Sequence, residues 1–244
     1  MDWSIVAIAG SGLFLAGVIK GATGLGYASC ALPFLVISIG LKPAMALVLI
    51  PAMATNISVA LTAGHLSDIV RRFAPLYAAM VPGIALGLAI LVWLGSASTP
   101  VFILGCSIVG YVAFSFFRPN VVLSVDAARY LQIPTGFANG VLTGLTGSQV
   151  LPLFPYMMAL DLDPNRMVQA INLSVMLASS ILVFGLLATN IMTISLLVLS
   201  GVAIVPALLG VEAGRHIRGH IPAAQFRKCV LVVLLMMGVL LIAR

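Results

Sequence analysis

The sequence has very few charged residues. Only 12 Lys and Arg and 6 Asp and Glu occur among 244 residues, a charged fraction of 7%. A soluble domain carries roughly 25% charged residues. Because 62% of this chain is hydrophobic, so few charges cannot cover a surface that faces water. The composition excludes a soluble globular enzyme, a disordered chain and a disulfide scaffold, and it predicts a polytopic membrane protein.

Cysteines and catalytic patterns are also scarce. Cys30, Cys106 and Cys229 are odd in number and form no CxxC pair, so the sequence favours neither a disulfide framework nor a metal site. No HExxH motif and no Ser–His pairing occurs in the apolar runs. The sequence therefore predicts that the protein is not an enzyme and uses no cofactor. The net charge of +6 is typical of the positive-inside bias of membrane proteins, and no nucleic-acid partner is expected.

Apolar runs dominate the chain. A helix needs roughly 20 apolar residues to cross a bilayer core, and six runs reach that length: 43–64, 72–95, 99–117, 166–188, 191–213 and 226–243. Two further apolar stretches, 3–41 and 131–160, are interrupted by glycines. As a single helix, either would be too long for one crossing. Each is predicted to be a hairpin of short helices, and the sequence leaves open whether these cross fully or turn back inside the membrane.

Basic residues orient the chain. The connections 95–99 and 189–191 carry no Lys or Arg, so they are expected outside. This assignment puts both termini outside and makes 118–130 a cytoplasmic linker. The basic residues assigned to the cytoplasm are Arg71, Arg72, Arg118, Arg129, Arg166, Arg215, Arg218, Arg227 and Lys228.

The two halves of the chain resemble each other. The run from Gly17 to Gly26 aligns with that from Gly140 to Gln149, both with glycines at matching positions. Two further matches occur at a nearly constant offset, and the second copy starts on the opposite side of the membrane. The sequence therefore predicts two inverted repeats, 1–117 and 131–244, as in many secondary transporters. The further matches are Leu41-Lys42-Pro43 with Leu162-Asp163-Pro164, and Val81-Pro82-Gly83 with Val205-Pro206-Ala207.

The glycine clusters at 21–26 and 144–149 predict helix breaks within the membrane. Unwound backbone there must be buried or line a cavity, and the N-terminus of a broken helix attracts anions. Lys20 is the one good candidate for a functional charge in the membrane; the alternative is that it extends to the interface. The polar residues on two later helices have two interpretations. They contact the substrate, or they only form hydrogen bonds between helices. The candidate substrate-binding residues are Lys20, Thr23, Gly24, Gly26, Thr55, Asn56, Thr146, Gly147, Ser148, Gln149, Gln169 and Asn172.

Prolines lie inside three of the long runs. Pro51, Pro82 and Pro206 each remove one backbone hydrogen bond and free the carbonyl four residues earlier. The sequence predicts helix kinks at these positions.

The sequence resembles the TauE/SafE family of sulfite exporters. The resemblance rests on the G-x-x-x-G-x-x-G-x-G block with Pro33, and on the block from Val205 through Pro206, Gly210 and Gly214 to Arg215, followed by 221–228. It implies a multi-pass protein of a bacterial inner membrane that exports or takes up small sulfur-containing anions such as sulfite, sulfoacetate or other sulfonates, with export as the expected direction.

Some positions depart from that family pattern. The second copy has Ser148 and Gln149 where glycines are common, and the first has Pro51 and Asn56 where Ser or Thr is common. These departures suggest a substrate other than sulfite. A small anion and the lipid bilayer are the expected partners, and a homodimer is left open. An anion channel and a carrier of small carboxylates are the alternative functions.

Overall fold

The computed structural model describes residues 3–24, 26–62, 66–117, 122–217 and 223–244. These ranges contain α-helices and no β-strand, so the predicted all-α class is confirmed. Arg118, Arg218 and residues 118–121 of the predicted linker lie outside them. The helices are α1 (Trp3–Thr23), α2 (Tyr27–Ile39), α3 (Leu41–Thr62), α4 (Leu66–Leu94), α5 (Ser98–Phe117), α6 (Val125–Thr146), α7 (Leu153–Met158), α8 (Pro164–Ala188), α9 (Ile194–Val202), α10 (Ile204–Ile217) and α11 (Ala223–Ile242).

Four of the predicted crossings are long and apolar enough to span a membrane. They are α4, α5, α8 and the segment Ile194–Ile217, which α9 and α10 form together. The predicted runs 43–64 and 226–243 are helical as well, but their described apolar parts are shorter, Leu41–Ile57 and Lys228–Ile242. The chain is therefore a multi-pass membrane protein.

Several helices begin earlier than predicted. α4 starts at Leu66 instead of residue 72, and α6 starts at Val125, inside the predicted linker 118–130. The Ser124 hydroxyl caps α6 by accepting a hydrogen bond from the backbone N–H of Ala127 at 3.3 Å. Apolar runs end at the first charges, whereas helical hydrogen bonding continues into water. Hydropathy therefore underestimates the length of these helices.

Two of the three prolines have visible effects. The predicted helix 191–213 is divided at Ala203, because Pro206 has no N–H to donate to the carbonyl of Val202. Pro51 leaves α3 continuous, and the carbonyl that it frees, on Leu47, accepts a hydrogen bond from the Ser200 hydroxyl at 3.0 Å. Pro51 thus leaves a carbonyl free for a contact between α3 and α9.

Both glycine-interrupted stretches contain a helix break. The first break follows the end of α1 at Thr23 and precedes the start of α2 at Tyr27, and the second covers 147–152. The predicted ranges 21–26 and 144–149 begin too early, because the first residues of both clusters remain helical. The returning helices α2 and α7 have 13 and 6 residues. At 1.5 Å per residue these are roughly 20 Å and 9 Å long, which is shorter than a bilayer core of about 30 Å.

The second glycine-interrupted stretch ends close to where it begins. The backbone N–H of Leu123, before α6, donates to the carbonyl of Ala159, after α7, at 2.9 Å. The Tyr156 hydroxyl donates to the carbonyl of Ala128 at 2.8 Å. This geometry is expected of a hairpin that returns to its starting side.

Two glycine seams hold the helices together, α1 against α10 and α4 against α6. A Cβ on Gly17 would lie about 3.0 Å from the Cα of Gly210, and one on Gly140 about 3.0 Å from the Cα of Gly83. Only glycine permits this backbone approach. Each seam joins a helix of one predicted copy to a helix of the other. One turn further, the seams continue with Gly21 on Gly214 and Gly144 on Gly87.

α3 and α8 connect the two seams. They pack against each other; α3 also contacts α10, and α8 also contacts α4 and α6. Both helices carry buried amide side chains, which lie near the helix breaks.

Candidate substrate-binding site

The first break is a glycine turn that leaves a helix N-terminus uncapped. Gly24 has a left-handed backbone (φ 81°), and its N–H donates to the carbonyl of Lys20 at 2.7 Å, which ends α1. Gly26 (φ 89°) precedes α2 and has no side chain to cap it. The N–H groups of Tyr27, Ala28 and Ser29 therefore have no acceptor within the helix. They form the positive end of the α2 dipole.

The second break starts with the same geometry, but its backbone forms hydrogen bonds with threonines at the end of α6. Gly147 is left-handed (φ 77°), and its N–H donates to the carbonyl of Thr143 at 2.8 Å. The Thr143 hydroxyl donates to the carbonyl of Ser148 at 3.2 Å, and the Ser148 N–H donates to the Thr146 hydroxyl at 3.1 Å. These bonds satisfy the N–H groups of Gly147 and Ser148 and the carbonyl of Ser148, through residues at the end of α6.

Lys20 joins three helices through its ammonium group. Its Nζ donates to Oδ1 of Asn56 on α3, and lies 3.4 Å from Oδ1 of Asn172 on α8. The residue is 4% exposed. Both partners are neutral amides, and no carboxylate of the described residues forms an ion pair with it. Within the described part of the chain, Lys20 thus has amide partners and no acidic one.

A small cavity, the polar pocket, lies where these elements meet. The first turn of α2 forms one wall, and the cavity has a volume of about 20 Å³. Such a volume holds about one water molecule. The polar side chains that line it are Tyr27, Ser29, Asn56, Gln149 and Asn172.

Two buried polar atoms at the polar pocket have no hydrogen-bond partner. They are the Tyr27 hydroxyl and Oε1 of Gln149, on side chains that are 2% and 3% exposed. The amide nitrogen of Gln149 donates to the Ser179 hydroxyl at 3.0 Å. Buried polar groups are normally satisfied, so these two atoms have hydrogen-bonding capacity that is available to a ligand or to water.

An open groove lies on the other side of Lys20. It has a volume of about 710 Å³ and is lined near the first break by Lys20, Gly24 and Thr55. Glu212 and Arg215, both exposed and paired at 3.2 Å, line it further along α10. Lys20 therefore lies between the groove and the amides of the polar pocket.

The structure divides the twelve candidate residues into groups. Lys20, Gly26, Asn56, Gln149 and Asn172 meet at or beside the polar pocket, and Gly24 and Thr55 line the groove. Thr23 lies on the rim of a third, apolar cavity. Thr146, Gly147, Ser148 and Gln169 are buried but line none of these three spaces.

Tyr27 was missed by the sequence reasoning. Its signal was its position directly after Gly26, at the start of the helix that follows the break. A tyrosine there brings a hydroxyl group to the first turn of α2.

The comparison with known families agrees with this architecture. The family model described as Sulfite exporter TauE/SafE matches residues 9–241. No curated protein and no solved structure shows a significant match to the chain. Because the family model covers nearly the whole sequence, the chain belongs to the TauE/SafE family and is a membrane transporter of the sulfite exporter type.

Proposed function

We propose that the protein is a secondary transporter that exports small sulfur-containing anions, such as sulfite or sulfonates, by alternating access across a bacterial inner membrane. The observation that carries this proposal is the buried ammonium group of Lys20. Its side-chain partners among the described residues are amides, and it lies beside the polar pocket.

A charge inside a membrane protein is costly, at least about 2.5–3.5 kcal/mol at the helix centre. An anion in the polar pocket offsets that cost for Lys20. The α2 N-terminus adds a second positive end at the same place. The three oxygens of a sulfite or sulfonate group would accept from Lys20, from the first turn of α2 and from the Tyr27 hydroxyl.

The sizes of the cavities support alternating access. The polar pocket holds about one water molecule, whereas the groove beside it is open. Because the groove runs toward Arg215, which the positive-inside rule assigns to the cytoplasm, this conformation is proposed to face inward. An anion must enlarge the pocket to bind, and a movement of the helices around Lys20 must then open the other side.

Flux into proteoliposomes tests the function. Vesicles with the purified protein should take up labelled sulfite or methanesulfonate, and internal unlabelled anion should accelerate that uptake by counterflow. Lys20→Gln should lower the uptake at least tenfold. Lys228→Gln removes an exposed positive charge on α11 and should leave uptake unchanged.

Other outcomes would contradict the proposal in defined ways. Uptake equal to that of empty vesicles would reject transport of these anions. Conductance without counterflow would indicate a channel. Uptake of acetate but of no sulfur anion would indicate a carboxylate carrier. Full activity of Lys20→Gln would remove Lys20 from the binding site.

A further inference from the structure

A large cavity lies where α4 and α6 begin, away from the candidate substrate-binding site. This basic cavity has a volume of about 770 Å³, and its walls come from α4, α6 and the segment around α7. It shares no lining residue with the polar pocket, the groove or the apolar cavity. A cavity of about 150 Å³ in another protein holds one benzene molecule, so the basic cavity has room for a much larger ligand.

The charges in the lining of the basic cavity are mostly positive. They belong to Arg71, Arg72, Arg129 and Asp161. No ion pair among the described residues involves any of the three arginines. The Arg72 guanidinium lies instead over the Phe73 ring, 5.7 Å from its centre, and this contact helps to hold it in place. Because guanidinium groups match the oxygens of a phosphate, the lining suits a phosphate-bearing anion.

The arginines lie at the depth of the lipid headgroups. α4 is long and apolar enough to span a membrane, and α6 runs parallel to it, because Leu76 contacts Gly136 and Gly83 contacts Gly140. From Arg72 to Leu94, the last residue of α4, the helix rises roughly 33 Å. A bilayer core is about 30 Å thick, so the beginnings of both helices reach the same membrane surface.

An exposed apolar face continues from the basic cavity toward the middle of the membrane. Ile133 lines the cavity one turn after Arg129 and is 59% exposed, and Phe137, another turn further, is 40% exposed. Residues four positions apart lie on the same face of a helix. A positive group at the membrane surface with an apolar face below it suits a lipid better than a free anion.

A buried amide in the basic cavity has an acceptor to spare. Gln132 lines the cavity and is 6% exposed, and its Oε1 has no hydrogen-bond partner. A phosphate diester has only acceptors, whereas a hydroxyl group can donate to an amide oxygen. The cavity therefore combines cations for a phosphate with an acceptor for a hydroxyl group.

We propose that the basic cavity binds an anionic phospholipid whose headgroup is a phosphate diester of glycerol. The phosphate would accept from the arginines, a glycerol hydroxyl would donate to Gln132, and the acyl chains would lie along Ile133 and Phe137. Basic pockets between membrane helices are known to bind anionic headgroups. This inference concerns a second site and does not depend on the proposed function.

Native mass spectrometry of the full-length protein in detergent tests the proposal, because it resolves each bound lipid. Dilauroyl phosphatidylglycerol should bind at least tenfold more tightly than dilauroyl phosphatidylcholine. Dilauroyl phosphatidylmethanol has the same diester charge but no hydroxyl group, so it should bind about threefold to fivefold more weakly than phosphatidylglycerol. Glycerophosphoglycerol, the same headgroup without acyl chains, should compete only weakly.

Variants separate the basic cavity from the other positive charges of the protein. Arg72→Gln with Arg129→Gln should weaken phosphatidylglycerol at least tenfold and leave phosphatidylcholine unchanged. Arg166→Gln with Lys228→Gln is the matched control, because it removes the same charge from residues that do not line the cavity; it should leave the affinity unchanged. Gln132→Met should abolish the preference for phosphatidylglycerol over phosphatidylmethanol.

Four results would overturn the proposal. They are equal affinity for phosphatidylglycerol and phosphatidylcholine, an equal loss in the arginine variant and its control, glycerophosphoglycerol binding as tight as that of the lipid, and a protein dimer that the arginine variant dissociates. The third would assign the cavity to a soluble phosphate, and the fourth to a second copy of the chain. A preference for phosphatidylglycerol over phosphatidylmethanol that Gln132→Met retains would overturn the assignment of the hydroxyl group. Because lipid binding is measured without transport, this inference and the proposed function can fail separately.

Discussion

The two helix breaks begin alike and end differently. In each, a left-handed glycine ends a helix by donating to a carbonyl four residues earlier, and a threonine hydroxyl bonds back to its own helix, Thr23 to Ile19 and Thr146 to Leu142. After the first break, Gly26 leads into the 13-residue helix α2. In the second, the Thr143 hydroxyl bonds to the carbonyl of Ser148 before the 6-residue α7 begins. Similar turns therefore lead to different structures, an uncapped helix N-terminus in one and a hydrogen-bonded loop in the other.

The surroundings of the two glycines at the breaks differ in packing. A Cβ on Gly24 would meet nothing within 4 Å, whereas one on Gly147 would lie 2.8 Å from Cγ of Met45 and 3.4 Å from Leu32. The position of Lys20, one turn before the first break, is taken by Thr143 before the second. The first break thus has open space around Gly24 and a lysine one turn before it, whereas the second is tightly packed and has a threonine at that position.

Gly147→Ala should have the largest effect on stability. The new methyl group strains a left-handed backbone, which costs about 1–3 kcal/mol, and must also displace Met45, which costs about 1–3 kcal/mol more. Thermal unfolding of the detergent-solubilised protein should show a lower Tm than for Gly24→Ala. Equal Tm values for the two variants would contradict the difference in packing.

Lys20→Thr makes the first break resemble the second. Loss of a charge-assisted hydrogen bond to the substrate costs about 1.5–3 kcal/mol, which corresponds to a roughly tenfold to hundredfold weaker affinity. Competition against labelled methanesulfonate measures the change. A lower Tm with unchanged affinity would assign Lys20 to helix packing alone.

Gly24→Ala should have a moderate effect. Its methyl group enters open space, so only the backbone strain of about 1–2 kcal/mol is expected. The protein should remain folded, and methanesulfonate affinity should fall because the α2 N-terminus shifts. A variant with wild-type stability and affinity would show that Gly24 needs no left-handed conformation.

Ser179→Ala should have the smallest effect. It removes the acceptor of the Gln149 amide, a 3.0 Å hydrogen bond between α8 and the second break. Such bonds in membrane proteins contribute about 0.6 kcal/mol on average. Thermal unfolding should show a small decrease, with Ser180→Ala as a control whose hydroxyl bonds to its own helix. A decrease larger than that of Gly147→Ala would contradict the small contribution expected of this hydrogen bond.

The sequence predicted those parts of the molecule that depend on local chemistry. Glycines can end a helix wherever they occur, so both breaks were located to within a few residues. Lys20 was singled out because a charge in an apolar run is unusual, and the polar faces of two helices led to Asn56 and Asn172. Gln169 shares such a face, yet it lines neither the polar pocket nor the groove.

Features that depend on packing between helices could not be predicted. The apolar cavity is formed by ordinary leucines, methionines and aromatic residues from several helices, and nothing in the order of these residues marks a cavity. The sequence also treated both breaks as equal contributors to the site. Their difference depends on whether neighbouring side chains fill the space, as Met45 does beside Gly147.

The two glycine seams constrain which helices can move together. Each seam holds a helix of one predicted copy against a helix of the other, so a rigid movement of one copy against the other would disrupt both interfaces. A movement that preserves the seams would instead keep α1 with α10 and α4 with α6 as two rigid units. α3 and α8, whose Asn56 and Asn172 side chains bind the Lys20 ammonium group, would then form the contact between those units.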